Sequence, residues 1–222
     1  MDDNELLADL VERYFWQLSE LFGHEIFLEI PNNKIEKDPS ESLIFFQSQI
    51  RDCLKCPLGH MRKNFVFGTG NAKADIVFVG EAPGREEDLK GEPFVGKAGQ
   101  LLDKIHAAIK MTRNEVYICN IIKCRPPDNR IPYQMEIDLC LPYLEKQLKL
   151  ISPKLIVALG ATAAHALLKL KTPLGNLRSK TWKWEGFDLL VTYHPAALLR
   201  NATLKRPAWE DFQRISKIIG QT

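Results

Sequence analysis

The run Ile76-Val77-Phe78-Val79, followed at once by Gly80-Glu81-Ala82-Pro83-Gly84, is the stretch of this sequence that decides the fold. It is short and wholly apolar, and similar runs recur at residues 116–121, 155–159 and 189–193. Apolar runs of this length are typical of strands that are buried on both faces of a parallel sheet. The chain is therefore predicted to contain four such strands.

Helical patterns alternate with these strands at residues 98–110, 133–150 and 161–170, with further helices at 41–52 and 207–219. This alternation predicts an α/β fold, a three-layer α/β/α sandwich around a central four-stranded parallel sheet. Ligands of such sheets bind beyond the carboxyl ends of the strands. We therefore expect the loops that follow Val79, Ile121, Leu159 and Tyr193 to form the functional edge.

The N-terminal part of the chain has a different pattern. Residues 5–21 place apolar side chains at helical spacing, which predicts an amphipathic helix, and the polar, proline-bounded residues 31–40 predict a linker. We expect residues 1–40 to be a helical extension and residues 41–222 to be the α/β domain. The helix is expected to pack on that domain, and the alternative is that it docks a partner.

The length and net charge of the chain limit the classes of protein to which it can belong. A chain of 222 residues with 45% hydrophobic content can bury one sizeable core, and a net charge of +2 allows a local basic face but no polybasic tail. No apolar stretch is long enough to span a bilayer, and the acidic start Met1-Asp2-Asp3-Asn4-Glu5 does not resemble a signal peptide. We therefore expect an intracellular, cytoplasmic protein without a membrane partner.

Four of the five cysteines have a spacing that suggests a metal centre. Cys53 and Cys56 form a C-x-x-C motif, and the fifteen residues between Cys124 and Cys140 are enough for one helix to bring that pair together. Zinc and iron–sulfur clusters both prefer thiolate ligands, so the residues leave both open. Buried apolar cysteines are the alternative, and we expect that role for Cys119, which lies within an apolar run.

Polar residues gather where the predicted strands end. The acidic, glycine-containing loop at residues 80–88 matches no phosphate-binding motif, and its adjacent carboxylates would repel a phosphate, so it favours a neutral polar ligand. Asn120 ends the second strand, and His194 follows the fourth. An imidazole at a strand end can donate a hydrogen bond to developing negative charge.

The joint order of five motifs resembles one enzyme family. GEAPG-x-x-ED begins at residue 80, PFVGKAGQLL at 93, N-x-x-K-C-R-P-P at 120 and HP-x-x-LLR at 194, and the four cysteines are the fifth. Together they are similar to the family 4 uracil-DNA glycosylases, over residues 52–218. The resemblance implies an enzyme that flips uracil out of DNA and hydrolyses its N-glycosidic bond, leaving an abasic site for base excision repair.

The same resemblance assigns roles around the base. It implies that uracil stacks on Phe94 and that Asn120 reads its edge, because an amide can donate to O4 and accept from N3–H. His194 matches the donor to uracil O2. Glu81 is the first candidate for positioning water or stabilising the cationic sugar, and Glu87 completes the acidic wall or blocks the methyl group of thymine.

Further residues follow from the same likeness. Ala82 stands where the wider superfamily has a catalytic aspartate, which leaves the activator of the water open, and with Asn129 it is expected to contribute to binding the base. Leu198, Leu199 and Arg200 resemble the loop that enters the duplex, and we expect one of the two leucines to pack on the last helix instead. Family members carry a [4Fe-4S] cluster, which here would be a structural group held by Cys53, Cys56, Cys124 and Cys140.

The expected partner is uracil-containing DNA, single- or double-stranded. We expect the protein to be a nucleoid-associated monomer, and a replication or repair protein is the candidate partner of the N-terminal helix. Residues 124–130 lack the arginine-rich insertion and histidine through which a variant branch binds uracil-DNA covalently, so an enzyme that turns over is expected. The main alternative is a non-catalytic DNA-binding or replication-associated module with a structural metal. A third alternative, a nucleotide-binding α/β enzyme, is disfavoured because the sequence contains no phosphate-binding loop.

Overall fold

The computed structural model describes residues 38–220 and, before them, residues 9, 10, 12–14, 16, 17 and 20. The chain divides into two compact units, Met1–Glu36 and Lys37–Thr222. The described residues of the first unit are helical, as predicted for residues 5–21, and the other residues of that helix and most of the predicted linker lie outside the described part. The domain boundary after residue 40 stays a prediction.

Within the described residues, six strands form one sheet in the order β1-β3-β2-β4-β6-β5. The strands are β1 (Thr69–Gly70), β2 (Ile76–Gly80), β3 (Tyr117–Asn120), β4 (Leu155–Leu159), β5 (Trp182–Trp184) and β6 (Phe187–Thr192). The four central strands pair in parallel, which confirms the predicted core of the sheet. The edge strands β1 and β5 pair antiparallel and were not predicted, because two or three residues are too few to show a pattern.

Beyond residue 38, the helices of the described chain are α1 (Pro39–Ile50), α2 (Leu58–Met61), α3 (Arg85–Lys90), α4 (Lys97–Ala108), α5 (Gln134–Ile151), α6 (Ala161–Leu168), α7 (Leu174–Arg178), α8 (Pro195–Arg200) and α9 (Lys205–Ile218). Short 3-10 turns cover Pro127–Asn129 and Ala202–Leu204. The five longer helices beyond residue 38 were predicted to within a few residues, whereas α2, α3, α7 and α8 have six residues or fewer and were missed. Among the described residues, no helix has the length and apolar character needed to cross a membrane.

Two apolar clusters, one on each face of the sheet, make the three layers. Successive side chains of a strand point to opposite faces, so Val77 and Val79 join one cluster while Ile76 and Phe78 join the other. The first cluster contains buried residues of α1, α5 and α6, and the second contains residues of α4 and α9. The sheet is therefore covered on both faces, as the predicted α/β/α sandwich requires.

The strand register brings the functional loops to one edge. In the parallel pairs, Gly80 lies beside Asn120, and Leu159 lies beside Thr192. All four central strands therefore end at nearly the same level. The loops that begin after them leave the sheet side by side.

His106, in α4, is a buried histidine with an unusual environment. Its side chain is 1% exposed, its ring lies 4.5 Å from that of Phe78 between centroids, and neither ring nitrogen has a hydrogen-bond partner among the described residues. Burial lowers the pKa of His106 to about 4. The folded protein therefore holds this imidazole neutral at pH values where an unfolded chain would protonate it.

A pH-dependent stability follows from His106. Between about pH 6.5 and pH 4 the unfolded state binds one proton more at this residue, so the free energy of unfolding should fall as the pH is lowered through this window. We expect His106→Leu to remove on the order of 1–2 kcal/mol of the loss between pH 7 and pH 5. Urea unfolding at both pH values measures it, with the exposed His60→Gln as control. An unchanged pH dependence in His106→Leu would contradict this account.

Candidate active site

A cavity of about 610 Å³ opens at the carboxyl edge of the sheet. Most of its lining residues follow β2, β3, β4 and β6 or lie near the start of α4, and Leu174 of α7 also contributes. It brings together all the residues predicted for catalysis and base binding, together with Arg200: Glu81, Ala82, Glu87, Phe94, Asn120, Asn129, His194 and Arg200. The predicted functional edge is therefore one continuous site.

Asn120 and Phe94 meet at the floor of the cavity beside Gly80. Asn120 is 2% exposed, and its Oδ1 atom has no hydrogen-bond partner in the described part of the chain. A Cβ atom at Gly80 would lie 2.4 Å from Asn120 Oδ1 and 2.7 Å from the ring of Phe94. Gly80 therefore lets an amide and an aromatic ring approach the same point of the backbone. Because a buried acceptor without a partner is costly, this oxygen is suited to accept from a ligand.

The turn that carries Phe94 is held by contacts that sequence reasoning missed. Phe94 has a φ of 54°, in the left-handed region that non-glycine residues seldom adopt. Arg113 donates to the carbonyl oxygens of Phe94, at 3.1 Å, and of Pro93, and pairs with Asp103 at 3.2 Å. Gly99 allows α4 to pack against this turn, since a Cβ there would lie 1.8 Å from the Phe94 oxygen. No sequence motif signals the role of Arg113.

The two predicted carboxylates have different environments. Glu87 accepts three backbone hydrogen bonds, from Val95 and Gly96 at 3.0 Å each and from Gly84 at 3.1 Å. It therefore joins the loop after β2 to the segment after Phe94. Glu81 lines the cavity, and in the described residues its carboxylate has no hydrogen-bond or ion-pair partner. Glu81 is thus the carboxylate that is available to a ligand or water.

His194 lines the same cavity as a neutral imidazole close to the ring of Phe94. Its Nδ1 atom accepts from the backbone N–H of Ala196 at 3.1 Å, which leaves the proton of a neutral ring on Nε2. Burial and, to a smaller degree, the charge of Arg200 lower the pKa of His194 to about 4, against an opposing effect of Glu87. Its ring centroid lies 5.4 Å from that of Phe94. At neutral pH, His194 can donate a hydrogen bond without carrying charge.

A half-buried ion pair supports the loop that carries His194. Arg178 binds Asp211 through two hydrogen bonds, at 2.7 and 2.9 Å, and its guanidinium lies 4.4 Å from the ring centroid of Tyr193. Thr192, at the end of β6, donates to the same carboxylate at 2.6 Å. Tyr193 lines the cavity next to His194. These contacts link α7 and α9 to the strand end, and sequence reasoning did not find them.

The loop after β3 adds a second amide to the site. Asn129 lines the cavity, and its Oδ1 atom accepts from Arg125 Nε at 2.7 Å. Asp128 and Asn129 both have a positive φ, of 53° and 54°. The side chain of Asn129 is therefore partly committed to its own loop, unlike that of Asn120.

The predicted DNA-inserting residues separate in the structure. Leu198 is 2% exposed and packs in an apolar groove with residues of α4 and α9, so it is not available to enter a duplex. Leu199 is 51% exposed, and Arg200 lines the cavity mouth. One of the two leucines therefore packs, as expected, and Leu199 is the one that is exposed for the predicted contact with DNA. On a six-residue helix, consecutive residues face different directions.

Cys53, Cys56, Cys124 and Cys140 are close enough in space for their side chains to interact electrostatically. The charges of Cys140 and Cys56 act on the thiol of Cys124, and those of Cys56 and Cys53 act on the thiol of Cys140. Burial raises the pKa of Cys124 to about 11 and also raises that of Cys140. Cys119 is 1% exposed within the first apolar cluster, as predicted, and Cys124 and Cys140 belong to the same cluster.

Donors surround these thiols. Arg62 Nη1 lies 3.3 Å from the Cys124 sulfur, the Tyr143 hydroxyl lies 3.3 Å from the Cys53 sulfur, and the backbone N–H of Lys55 lies 3.5 Å from it. Hydrogen bonds and positive charge of this kind stabilise thiolate ligands, so the donor set fits a four-thiolate centre. Across the described residues, no group of three or more His, Cys, Asp or Glu side chains is arranged to hold a metal ion. The four thiols are neighbours, not a preformed ion site.

The chain is similar in sequence to known uracil-DNA glycosylases. The Uracil DNA glycosylase superfamily matches residues 67–213. A type-4 uracil-DNA glycosylase of Archaeoglobus fulgidus is 44% identical over 82% of this chain and 95% of its own length. Type-4 uracil-DNA glycosylases of Saccharolobus solfataricus and Pyrobaculum aerophilum are 42% and 44% identical, over 81% and 70% of this chain and 87% and 84% of their own lengths. The superfamily match includes every residue that lines the cavity.

Proposed function

Because the chain belongs to the uracil-DNA glycosylase superfamily, and within it to the type-4 enzymes, we propose that it hydrolyses the N-glycosidic bond of uracil in DNA and leaves an abasic site. The observation that carries this proposal is the cavity in which Phe94, Asn120 and His194 converge at the ends of three chain segments. A flipped base costs a few kcal/mol of unstacking, which contacts in such a pocket must offset.

Asn120 is the proposed reader of the base. Its unpartnered Oδ1 atom is suited to accept from uracil N3–H, while its amide group donates to O4. Cytosine carries an amino group at C4 and no proton on N3, so it would leave these buried polar groups unpaired. Stacking on Phe94 holds the ring in the plane of the amide. The pocket should therefore favour uracil over cytosine.

His194 and Glu81 are the proposed catalytic residues. As the bond between C1′ and N1 breaks, its electron pair leaves with uracil, and positive charge develops on the sugar. The Nε2–H of His194 donates to uracil O2 and stabilises the leaving anion. Glu81 stabilises the cationic sugar and orients a water, whose hydroxyl adds to C1′ while its proton leaves, first to the carboxylate and finally to the uracil anion.

Glu81 and Glu87 should respond differently to the same substitution. We expect Glu81→Gln to lower the single-turnover rate of uracil release by about 10²- to 10³-fold, with little change in DNA affinity, because only a charge near the reacting atoms is lost. Glu87→Gln should instead lower the melting temperature and weaken DNA binding, because three backbone donors lose their charged acceptor. A larger fall in rate for Glu87→Gln than for Glu81→Gln would reverse these assignments.

Arg113 is proposed to position Phe94 for stacking. We expect Arg113→Met to raise the KM for uracil-containing DNA and the inhibition constant of free uracil, each by roughly 5- to 30-fold, as the strained turn relaxes. Arg113→Lys should recover part of the loss, since an ammonium can still donate to one carbonyl. Steady-state kinetics test this, and a fall in kcat at unchanged KM would contradict a positioning role.

Leu199 and Arg200 are the proposed DNA contacts on the α8 side of the cavity. Leu199 is exposed and apolar, as an inserting residue must be, and Arg200 is placed for a phosphate beside the flipped nucleotide. We propose a monomer that acts on single- or double-stranded DNA in the nucleoid. Docking of a repair or replication partner by the N-terminal helix also stays a proposal.

The four converging cysteines are proposed to hold a [4Fe-4S] cluster. Cys53, Cys56, Cys124 and Cys140 would be its ligands, and the group would supply a covalent tie between the segments before α2 and after β3. Cys124 lies four residues after Asn120, so the tie would fix the loop beyond the base-reading strand. Iron and sulfide content with a broad visible absorbance would support this. A colourless preparation with full activity would contradict it.

Base release from synthetic DNA tests the proposed function. Purified protein containing its metal centre should release free uracil from both single- and double-stranded oligonucleotides and leave alkali-labile abasic sites. Matched oligonucleotides with thymine or cytosine at that position should stay intact. Tight DNA binding without release of uracil would favour the non-catalytic module instead.

A further inference from the structure

An exposed apolar edge begins at the rim of the cavity, in the segment between the 3-10 turn Pro127–Asn129 and α5. Ile131 is 67% exposed and Tyr133 is 61% exposed. Ile131 lines the cavity together with its neighbours Asn129 and Arg130. We call Ile131 and Tyr133 the Ile131–Tyr133 edge. Large apolar side chains that are exposed next to a binding pocket indicate a contact surface.

This edge is held in place by a buried carboxylate. Glu136 is 2% exposed and binds Arg130 through two hydrogen bonds, at 2.9 and 2.7 Å. The same carboxylate accepts the backbone N–H of Tyr133 at 2.8 Å, and the Arg130 guanidinium also donates to the Ile131 oxygen at 3.1 Å. The Glu136 carboxylate thereby links Arg130 to Tyr133 and holds in place the segment that carries the exposed residues.

The ring of Tyr133 has one supported face. The Arg130 guanidinium carbon lies 3.7 Å from the ring centroid, within stacking distance, while most of the side chain remains open to solvent. A rigid ring that is backed by a guanidinium is a suitable platform for a nucleobase. Because Arg130 is neutralised by Glu136, the edge offers stacking surface more than charge.

We propose that the Ile131–Tyr133 edge is a second DNA-binding element, in which Tyr133 stacks on the base next to the flipped uracil in the same strand and Ile131 packs at the pocket mouth. The inference rests on the proposed function, because Ile131 lines the cavity that would take the flipped uracil, and Tyr133 follows it two residues later on the exposed side. Stacking on the uracil-containing strand requires no complementary strand. The edge therefore acts on single- and double-stranded substrates alike. A residue that fills the gap left by the flipped base, in contrast, acts only on a duplex.

Paired variants test this proposal. Tyr133→Ala should weaken binding of uracil-containing oligonucleotides, both single- and double-stranded, by roughly 5- to 100-fold, the usual effect of losing one aromatic stacking contact. Tyr133→Phe keeps the ring and should bind like the wild type. Ile131→Ala should show a smaller loss, and Ile44→Ala is its matched control, since Ile44 is 68% exposed on α1 and does not line the cavity.

Two readouts separate a local effect from misfolding. The inhibition constant of free uracil should be unchanged in Tyr133→Ala, because the base pocket is intact. When DNA with 2-aminopurine beside uracil binds to this variant, the 2-aminopurine fluorescence should no longer be quenched. Wild-type affinity and quenching in Tyr133→Ala would overturn the proposed edge while leaving the glycosylase activity in place. A wild-type protein that releases no uracil would instead overturn the proposed function.

Discussion

Replacing Gly80 with alanine is expected to lower kcat/KM for uracil release by at least about 100-fold, because errors near 1 Å in the position of reacting groups have effects of this size. The added Cβ would lie 2.4 Å from Asn120 Oδ1 and 2.7 Å from the ring of Phe94. Both contacts are far below van der Waals distance, so the amide and the ring must move. The change therefore disturbs base reading and stacking together.

Gly175 offers a matched control for this substitution. It lies in α7, and an added Cβ there meets no atom within 4 Å. Gly175→Ala should keep wild-type kinetics and a similar melting temperature. If Gly80→Ala is folded, as judged by circular dichroism, and excises uracil within a few-fold of the wild type, the packing of Asn120 and Phe94 against Gly80 is not needed for activity.

Replacing His194 with alanine is expected to lower the single-turnover rate by about 10²- to 10³-fold, the usual effect of losing one donor to a developing anion. The DNA affinity should change little, because the hydrogen bond to uracil O2 strengthens as the bond breaks. His60→Ala, on the exposed face of α2, serves as the control. A loss of affinity without a loss of rate would show that His194 binds the base and does not stabilise the leaving group.

The pH dependence of the wild-type rate bears on the same residue. His194 has its pKa lowered to about 4 by burial, so the neutral ring should persist throughout the range from pH 8 to pH 5. Protonation of Nδ1 would break its hydrogen bond with the backbone N–H of Ala196. The rate should therefore show no step near pH 6.5 and should fall only as the pH approaches 4. A titration step near 6.5 that is absent in His194→Ala would contradict the neutral donor.

The central strands, and the position of Asn120 and His194 at their ends, could be predicted because each has a local signal. Buried parallel strands are continuous apolar runs, and Asn120 and His194 lie where such runs end. The short strands β1 and β5 have no such signal, since their antiparallel pairing depends on neighbours that are distant in the sequence. The four short helices α2, α3, α7 and α8 were not predicted for the same reason.

Contacts between distant segments were the part that the sequence could not reveal. Arg113 reaches the Phe94 turn from nineteen residues away, and Arg178 reaches Asp211 from thirty-three. Motif likeness also did not distinguish Leu198, which packs inward, from its exposed neighbour Leu199. These distinctions depend on which side chain fills the space between two packed helices, and this is a property of the assembled fold.

Asn120 is proposed to read uracil in a pocket that it forms with Gly80 and Phe94. A crystal structure of the protein with DNA that contains a non-cleavable 2′-deoxyuridine analogue tests it most directly. We expect a flipped uracil stacked on Phe94, with its N3 atom within about 2.7–3.2 Å of Asn120 Oδ1. A uracil that remains in the helix, or that enters the cavity with Asn120 Oδ1 still unpartnered, would contradict it.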